Sequence, residues 1–167
     1  MTTISPDQPG NELAAIVIAR LVDADSTVAT AESITGGLLA ATITAVPGAS
    51  ACYRGGIIAY ATEVKRRLLD VPDDVLRVHG AVSAETAVAM AGGARTRLAS
   101  TFGTATTGVA GPDASEGNPL GLVHVAVVGP RGNSTRMHHF AGNRSVIQKN
   151  AVDAVLNLLL SELEPRI

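Results

Sequence analysis

The chain has 167 residues, a formal charge of −2, and 46% hydrophobic against 17% charged residues, which excludes a disordered chain and leaves length enough for one domain with a buried core. This balance lacks the basic stripe that follows a phosphate backbone. Two Phe, two Tyr and no Trp give little platform for stacking bases, so no nucleic-acid partner is expected. Cys52 is the only cysteine, which excludes an intrachain disulfide and a thiolate zinc site and fits a reducing compartment.

Residues 1–10 lack a basic start and an apolar run, so they read as a flexible tail rather than a signal peptide. The longest apolar stretches fall short of the roughly 20 residues that a membrane span needs. A soluble cytoplasmic protein with a single domain over 11–167 is expected, with no membrane partner. Asn11 can cap a first helix in which Leu13, Ile16, Val17 and Leu21 recur at helical spacing, ending near Asp23-Ala24-Asp25. A short strand over 27–31 runs into Glu32-Ser33-Ile34-Thr35-Gly36-Gly37, and a helix over 38–46 stops at Pro47-Gly48. Residues 51–60 read as a strand interrupted by glycine, and a short helix over 62–69 is closed by Pro72.

Ser83 can cap a long helix whose stripe is Ala84, Ala87, Val88, Ala91, Ala94 and Leu98, small enough for close packing on a sheet. Residues 101–109 are β-like. The loop over 110–119 is too long for a tight turn and is a functional-loop candidate. Residues 120–128, apolar on both alternating faces apart from His124, read as a central strand covered on both sides. Gly129-Pro130-Arg131-Gly132 then turns into a strand over 134–140. A final helix over 144–163 points Ile147, Ala151, Ala154, Val155 and Leu158 at the core. Helices interleaved with strands, one hairpin among them, imply an α/β fold: a three-layer α/β/α sandwich with a mixed sheet of about five or six strands. Ala-rich helix faces on a small domain lead us to expect a homo-oligomer.

Ser33 lies where a strand passes into a glycine-flanked helix start, where unpaired N–H groups and a positive dipole end would hold an oxyanion. Such a serine is either a nucleophile on a strand-to-helix elbow or a plain N-cap, and spacing alone leaves both open. Lys65 is one of two lysines, with Lys149, among 13 cationic residues. An amine can lose its proton and act as a base, which a guanidinium cannot. Thr62 as N-cap would put Lys65 in the first helical turn, where the dipole favours the neutral amine; a solvated basic face, Lys65-Arg66-Arg67, is the plainer alternative. Tyr60 falls at a strand end, where open α/β sheets bind ligands, and its phenol could relay a proton or orient Ser33. Thr106 to Asp113 forms a small, glycine-spaced segment after a strand that lets backbone approach a ligand. Arg144, at a helix start, could grip a phosphate. His79, His124, His138 and His139 have no metal-binding spacing, and no phosphate-loop motif is present. Neither a metal nor a cofactor is expected.

In order along the chain, A-E-S-I-T-G-G (31–37), V-P-G-A-S (46–50), Y-A-T-E-V-K (60–65), D-V-P (70–72), H-G-A-V-S (79–83), T-G-V-A-G-P-D (107–113), G-L-V-H-V-A (121–126) and G-N-R (142–144) closely resemble the CinA C-terminal domain family, over about 12–163. The resemblance implies a stand-alone nicotinamide-nucleotide amidohydrolase of pyridine nucleotide salvage, which converts nicotinamide mononucleotide to nicotinic acid mononucleotide and ammonia. It assigns Ser33 as nucleophile and Lys65 as general base, with Tyr60 assisting, and makes Thr35, Gly36, Thr107, Gly108, Gly111 and Arg144 substrate contacts. This chain departs from the family pattern at Ile34, where cysteine is common, at Ala61-Thr62, where Ser-Asn is usual, and at Ala114, where glycine follows Pro-Asp. A catalytically silent nucleotide-binding or protein-interaction domain linked to competence, and an amidohydrolase for another carboxamide, are the alternatives.

Overall fold

The computed structural model describes residues 9–115 and 117–164. The expected tail lies outside the described residues as far as residue 8. Helix α1 (Pro9–Asp23) already includes Pro9 and Gly10, so Asn11 sits inside the first turn and not at the cap. Proline suits a first turn because its missing N–H would be unpaired there anyway. Ala14, Val17, Ile18 and Leu21 form the buried stripe of α1.

Strand β1 (Val28–Glu32) is buried throughout and leads through a turn into α2 (Leu38–Thr44). A single 3-10 turn, Ala49–Ala51, precedes β2 (Tyr53–Ile58), which is shorter at both ends than the expected strand. Helix α3 (Thr62–Leu69) has the expected span, but its cap is Ala61 and Thr62 is its first helical residue. Helix α4 (Asp73–His79) was not anticipated. Pro72 precedes it, Asp73 and Asp74 occupy its first turn and Arg77 its last, but it buries no residue fully, so it leaves no apolar stripe in the sequence.

Helix α5 (Ala84–Arg97) begins at Ser83, whose Oγ accepts from the Thr86 N–H at 3.1 Å. Its buried side is Thr86, Ala87, Met90, Ala91 and Ala94, turned slightly toward Met90 from the expected stripe. Strands β3 (Phe102–Gly108), β4 (Leu122–Gly129) and β5 (Gly132–His139) follow. The last two form the expected hairpin, with Gly129 paired to Gly132. Helix α6 (Arg144–Leu163) starts at Asn143, whose side chain accepts from the Val146 N–H. Besides Ile147, Ala151, Val155 and Leu158 it buries Val152, Leu156 and Leu159, because it packs on α1 as well as on the sheet.

Among the described residues the strands form one sheet in the order β2-β1-β3-β4-β5. β1 pairs in parallel with β2 and β3, while β3–β4 and β4–β5 are antiparallel; the sheet is open and mixed, as expected. Alternation along the strands separates two cores. Val28, Phe102, Val123, Val125 and Val127 join residues of α1, α2 and α6. Ala29, Ala31, Ala105 and Ala126 meet the small residues of α5. This second face is built for close approach: a Cβ on Gly103 would lie 1.9 Å from the Ala91 carbonyl oxygen, and one on Gly93 would lie 2.0 Å from that of Leu69. Each methyl group buried there contributes about 0.8 kcal/mol. The second contact also fixes the end of α3 against α5.

Candidate active site

β1 lies between β2 and β3, so the chain leaves it to one side and later returns on the other. Open α/β sheets bind ligands at such a reversal, beyond the carboxyl ends of the strands. Ser33 follows β1, Tyr60 follows β2, and Thr107 and Gly108 end β3; all four reach that place. The Ser33 N–H still continues the ladder by donating to the Thr106 carbonyl at 3.0 Å, and the turn over 34–37 begins directly after it.

Lys65, in the first turn of α3, is only 2% exposed. Its Nζ lies 2.9 Å from Ser33 Oγ and donates to the carbonyls of Ala59 at 2.9 Å and Tyr60 at 3.1 Å. The solvated basic face is therefore overturned for Lys65, although Arg66 and Arg67 are exposed. Sequence spacing left Ser33 between a cap and a nucleophile; the geometry gives its hydroxyl a buried amine.

A cavity of about 250 Å³ opens over this pair, near the lower end of ligand-pocket sizes. Ser33, Lys65, Tyr60, Thr107, Gly108, Gly111 and Arg144 all line it. Arg144 spans the rim, donating to the Gly111 carbonyl and to the Tyr60 phenol, each at 2.7 Å. The Tyr60 phenol thus engages Arg144, and its main-chain carbonyl engages Lys65. Thr107 Oγ1 donates to the Ala81 carbonyl at 2.7 Å, tying β3 to the loop before α5. Gly108 has no room for a side chain, since a Cβ would lie 2.6 Å from the Leu122 carbonyl oxygen. Gly111, at φ 83, adopts backbone geometry that favours glycine.

Thr35 and Gly36 are not among the lining residues. The Thr35 hydroxyl donates to Glu32 Oε2 at 2.7 Å and lies 2.7 Å from Thr106 Oγ1. The Gly36 N–H returns to the Ser33 carbonyl at 3.2 Å. The N–H groups of Ile34 and Thr35 make no hydrogen bond among the described residues, which leaves two donors beside the serine.

Sequence reasoning missed Glu32, Gln148, Asp113 and Ser115. Asp113 and Ser115 line the cavity, and both lay inside the loop flagged for its length. Glu32 and Gln148 hold the serine turn; Glu32 stands within the A-E-S-I-T-G-G stretch but was not singled out, and Gln148 carries no motif of its own. Cys52 is buried in the core, and burial pushes its thiol pKa up, which fits packing better than nucleophilic chemistry. Among the described residues no group of three His, Cys, Asp or Glu could hold a metal ion, and no helix is long and apolar enough to cross a membrane.

The CinA C-terminal domain family matches residues 10–163. A CinA-like protein of Frankia casuarinae is 50% identical over 149 residues, covering 89% of this chain and 34% of that protein. A putative competence-damage inducible protein of Desulforamulus reducens is 49% identical over 138 residues, covering 83% and 34%. The chain thus spans about a third of the length of these relatives. Among solved structures, a CinA superfamily protein of Klebsiella pneumoniae superposes with TM-score 0.90 at 32% identity, covering 93% of this chain and 98% of that one. The competence/damage inducible protein CihA of Agrobacterium tumefaciens gives 0.87 at 35% identity, covering 98% and 100%.

Proposed function

On the premise that the chain belongs to the CinA C-terminal domain family, we propose that it hydrolyses the carboxamide of nicotinamide mononucleotide through a serine acyl-enzyme, releasing ammonia and nicotinic acid mononucleotide. The observation that carries this reading is the buried Lys65 Nζ at 2.9 Å from Ser33 Oγ. A neutral lysine amine has two N–H donors and one lone pair. The Ala59 and Tyr60 carbonyls, each accepting from Nζ, hold the amine against Ser33, and in the neutral amine the lone pair takes the hydroxyl proton.

Lys65 takes that proton as Ser33 Oγ bonds to the carboxamide carbon, and the carbonyl π pair moves onto oxygen. The N–H groups of Ile34 and Thr35 stabilise the resulting oxyanion. As the tetrahedral intermediate collapses, the C–N bond breaks and protonated Lys65 returns its proton to the departing nitrogen, giving ammonia and the serine ester. Water, activated by Lys65, then cleaves the ester by the same sequence. Arg144, at the cavity rim, anchors the phosphate. The reaction is set in the reducing cytoplasm, as part of pyridine nucleotide salvage, where Cys52 stays a thiol.

The test is ammonia release from nicotinamide mononucleotide by purified protein and by Ser33→Ala and Lys65→Arg variants whose folding is confirmed by circular dichroism. Both substitutions are expected to lower kcat by about 10³-fold or more. Lys65→Arg keeps the charge but removes the base, so a fully active Lys65→Arg enzyme refutes the assignment. No release by the unmodified protein redirects the search to other carboxamides and then to a silent binding domain.

A further inference from the structure

We infer that Glu32 and Gln148 are positioning residues for the nucleophile, a role that rests on the reading of Ser33 given above: together they clamp the turn that presents Ser33. Glu32, the last residue of β1, is 1% exposed, and its carboxylate receives four donors. Oε2 accepts from the Thr35 hydroxyl at 2.7 Å and from the N–H groups of Gly37 and Leu39 at 2.9 and 3.0 Å; Oε1 accepts from the Ala40 N–H at 2.8 Å. The cap of α2 is Gly37, which has no side chain to serve its own helix start. A residue five positions earlier therefore caps that helix from inside the core. The loop so closed, from Glu32 to Ala40, contains Ser33.

Gln148 holds the turn from the opposite element. Its Nε2 donates to the Ile34 carbonyl at 2.8 Å from α6, one helical turn beyond Arg144. In a trans peptide the C=O and the following N–H point in opposite directions, so fixing the Ile34 carbonyl also fixes the Thr35 N–H. Four donors around one carboxylate leave no place for an amide, whose own N–H2 would face a donor. The geometry is demanding because displacing a reacting atom by 1 Å can lower a rate about 100-fold. Glu32 and Gln148 act through the backbone of the turn, so their loss should slow the chemical step and leave ground-state binding at the distant phosphate largely intact.

The experiment compares unmodified protein with Glu32→Gln, Gln148→Met and Ile43→Ala, the last an α2 core change outside the clamp. Steady-state hydrolysis of nicotinamide mononucleotide, labelling of Ser33 by a fluorophosphonate and thermal unfolding are measured for each. Expected for Glu32→Gln and Gln148→Met are a kcat and a labelling rate lowered about 10- to 100-fold, with KM within about threefold. Ile43→Ala should lose thermal stability and keep kcat below its unfolding transition. The inference is overturned if both clamp variants keep kcat within twofold, or if Ile43→Ala loses as much activity as they do. Should Glu32→Gln not fold, Gln148→Met alone decides by the same criteria. Unmodified protein that neither releases ammonia nor labels at Ser33 overturns the nucleophile and the clamp together, an outcome distinct from an active parent with unaffected variants.

Discussion

Eleven of the 13 cationic residues are arginine, and one of the two lysines is buried against a serine hydroxyl, where the proposed mechanism asks for a base that can shed its proton, as a guanidinium cannot. Arg144 illustrates the complementary choice: it is always charged, exposed at the rim, and its fork is already divided between Gly111 and Tyr60. A charge-assisted hydrogen bond contributes about 1.5–3 kcal/mol, so Arg144→Ala should raise KM for nicotinamide mononucleotide by about tenfold or more. Its kcat should stay within about threefold in steady-state assays, because a contact remote from the reacting carbon contributes mainly uniform binding; a loss confined to kcat would contradict the anchoring role. Ser33 and Lys65 could be singled out because a glycine-flanked strand exit and a scarce lysine are local features, although spacing alone left each of them with a plainer reading. The Gln148 contact was not legible, since its partner Ile34 is 114 residues away and glutamine on a helix has no signature of its own.

Strands β4 and β5 each carry a histidine whose proton affinity depends on the sheet. His124 Nδ1 and His138 Nε2 are buried without a hydrogen-bond partner among the described residues. Burial lowers both pKa values below 6.5, with Glu85 opposing the shift at His124 and Arg136 adding to it at His138. His138 also stacks on Phe140, ring centroids 5.0 Å apart. Between the lowered pKa of the folded chain and about 6.5, the unfolded chain binds more protons, so stability falls as pH drops through that window and levels off below it. Thermal unfolding at pH 7.5 and 5.5 should show the loss, about 2–4 °C in Tm for each kcal/mol. His124→Gln and His138→Gln should flatten the slope; an unchanged slope in both would contradict the assignment. At this scale the sequence revealed every strand and most helices, because apolar periodicity and the Ser83 cap are encoded locally. Helix α4 escaped because Pro72, the paired aspartates and Gly80 mark its ends without a buried stripe between them, and the ends of α2 and β2 shifted because tertiary packing sets where pairing stops.

The site as a whole depends on strand order, which no local pattern encodes: β1 lies between β2 and β3, bringing chain segments around residues 33, 60 and 107 to one cavity. Periodicity supplied the layers and the mixed sheet, whereas the ordered motifs of a family supplied the meeting of those segments. Placing both lysines inside helices, Lys65 in α3 and Lys149 in α6, has a consequence for digestion. An endoprotease specific for lysine needs an extended substrate, so each cut requires its own helix to open first. Short α3 packs mainly along one side, on α5, whereas α6 lies in the larger core between α1 and the sheet. Limited digestion should therefore cut after Lys65 before it cuts after Lys149, with fragment masses giving the order. Nicotinamide mononucleotide in the cavity should slow the first cut and leave the second unchanged, so the two cleavages give separate clocks, one for the active site and one for the core.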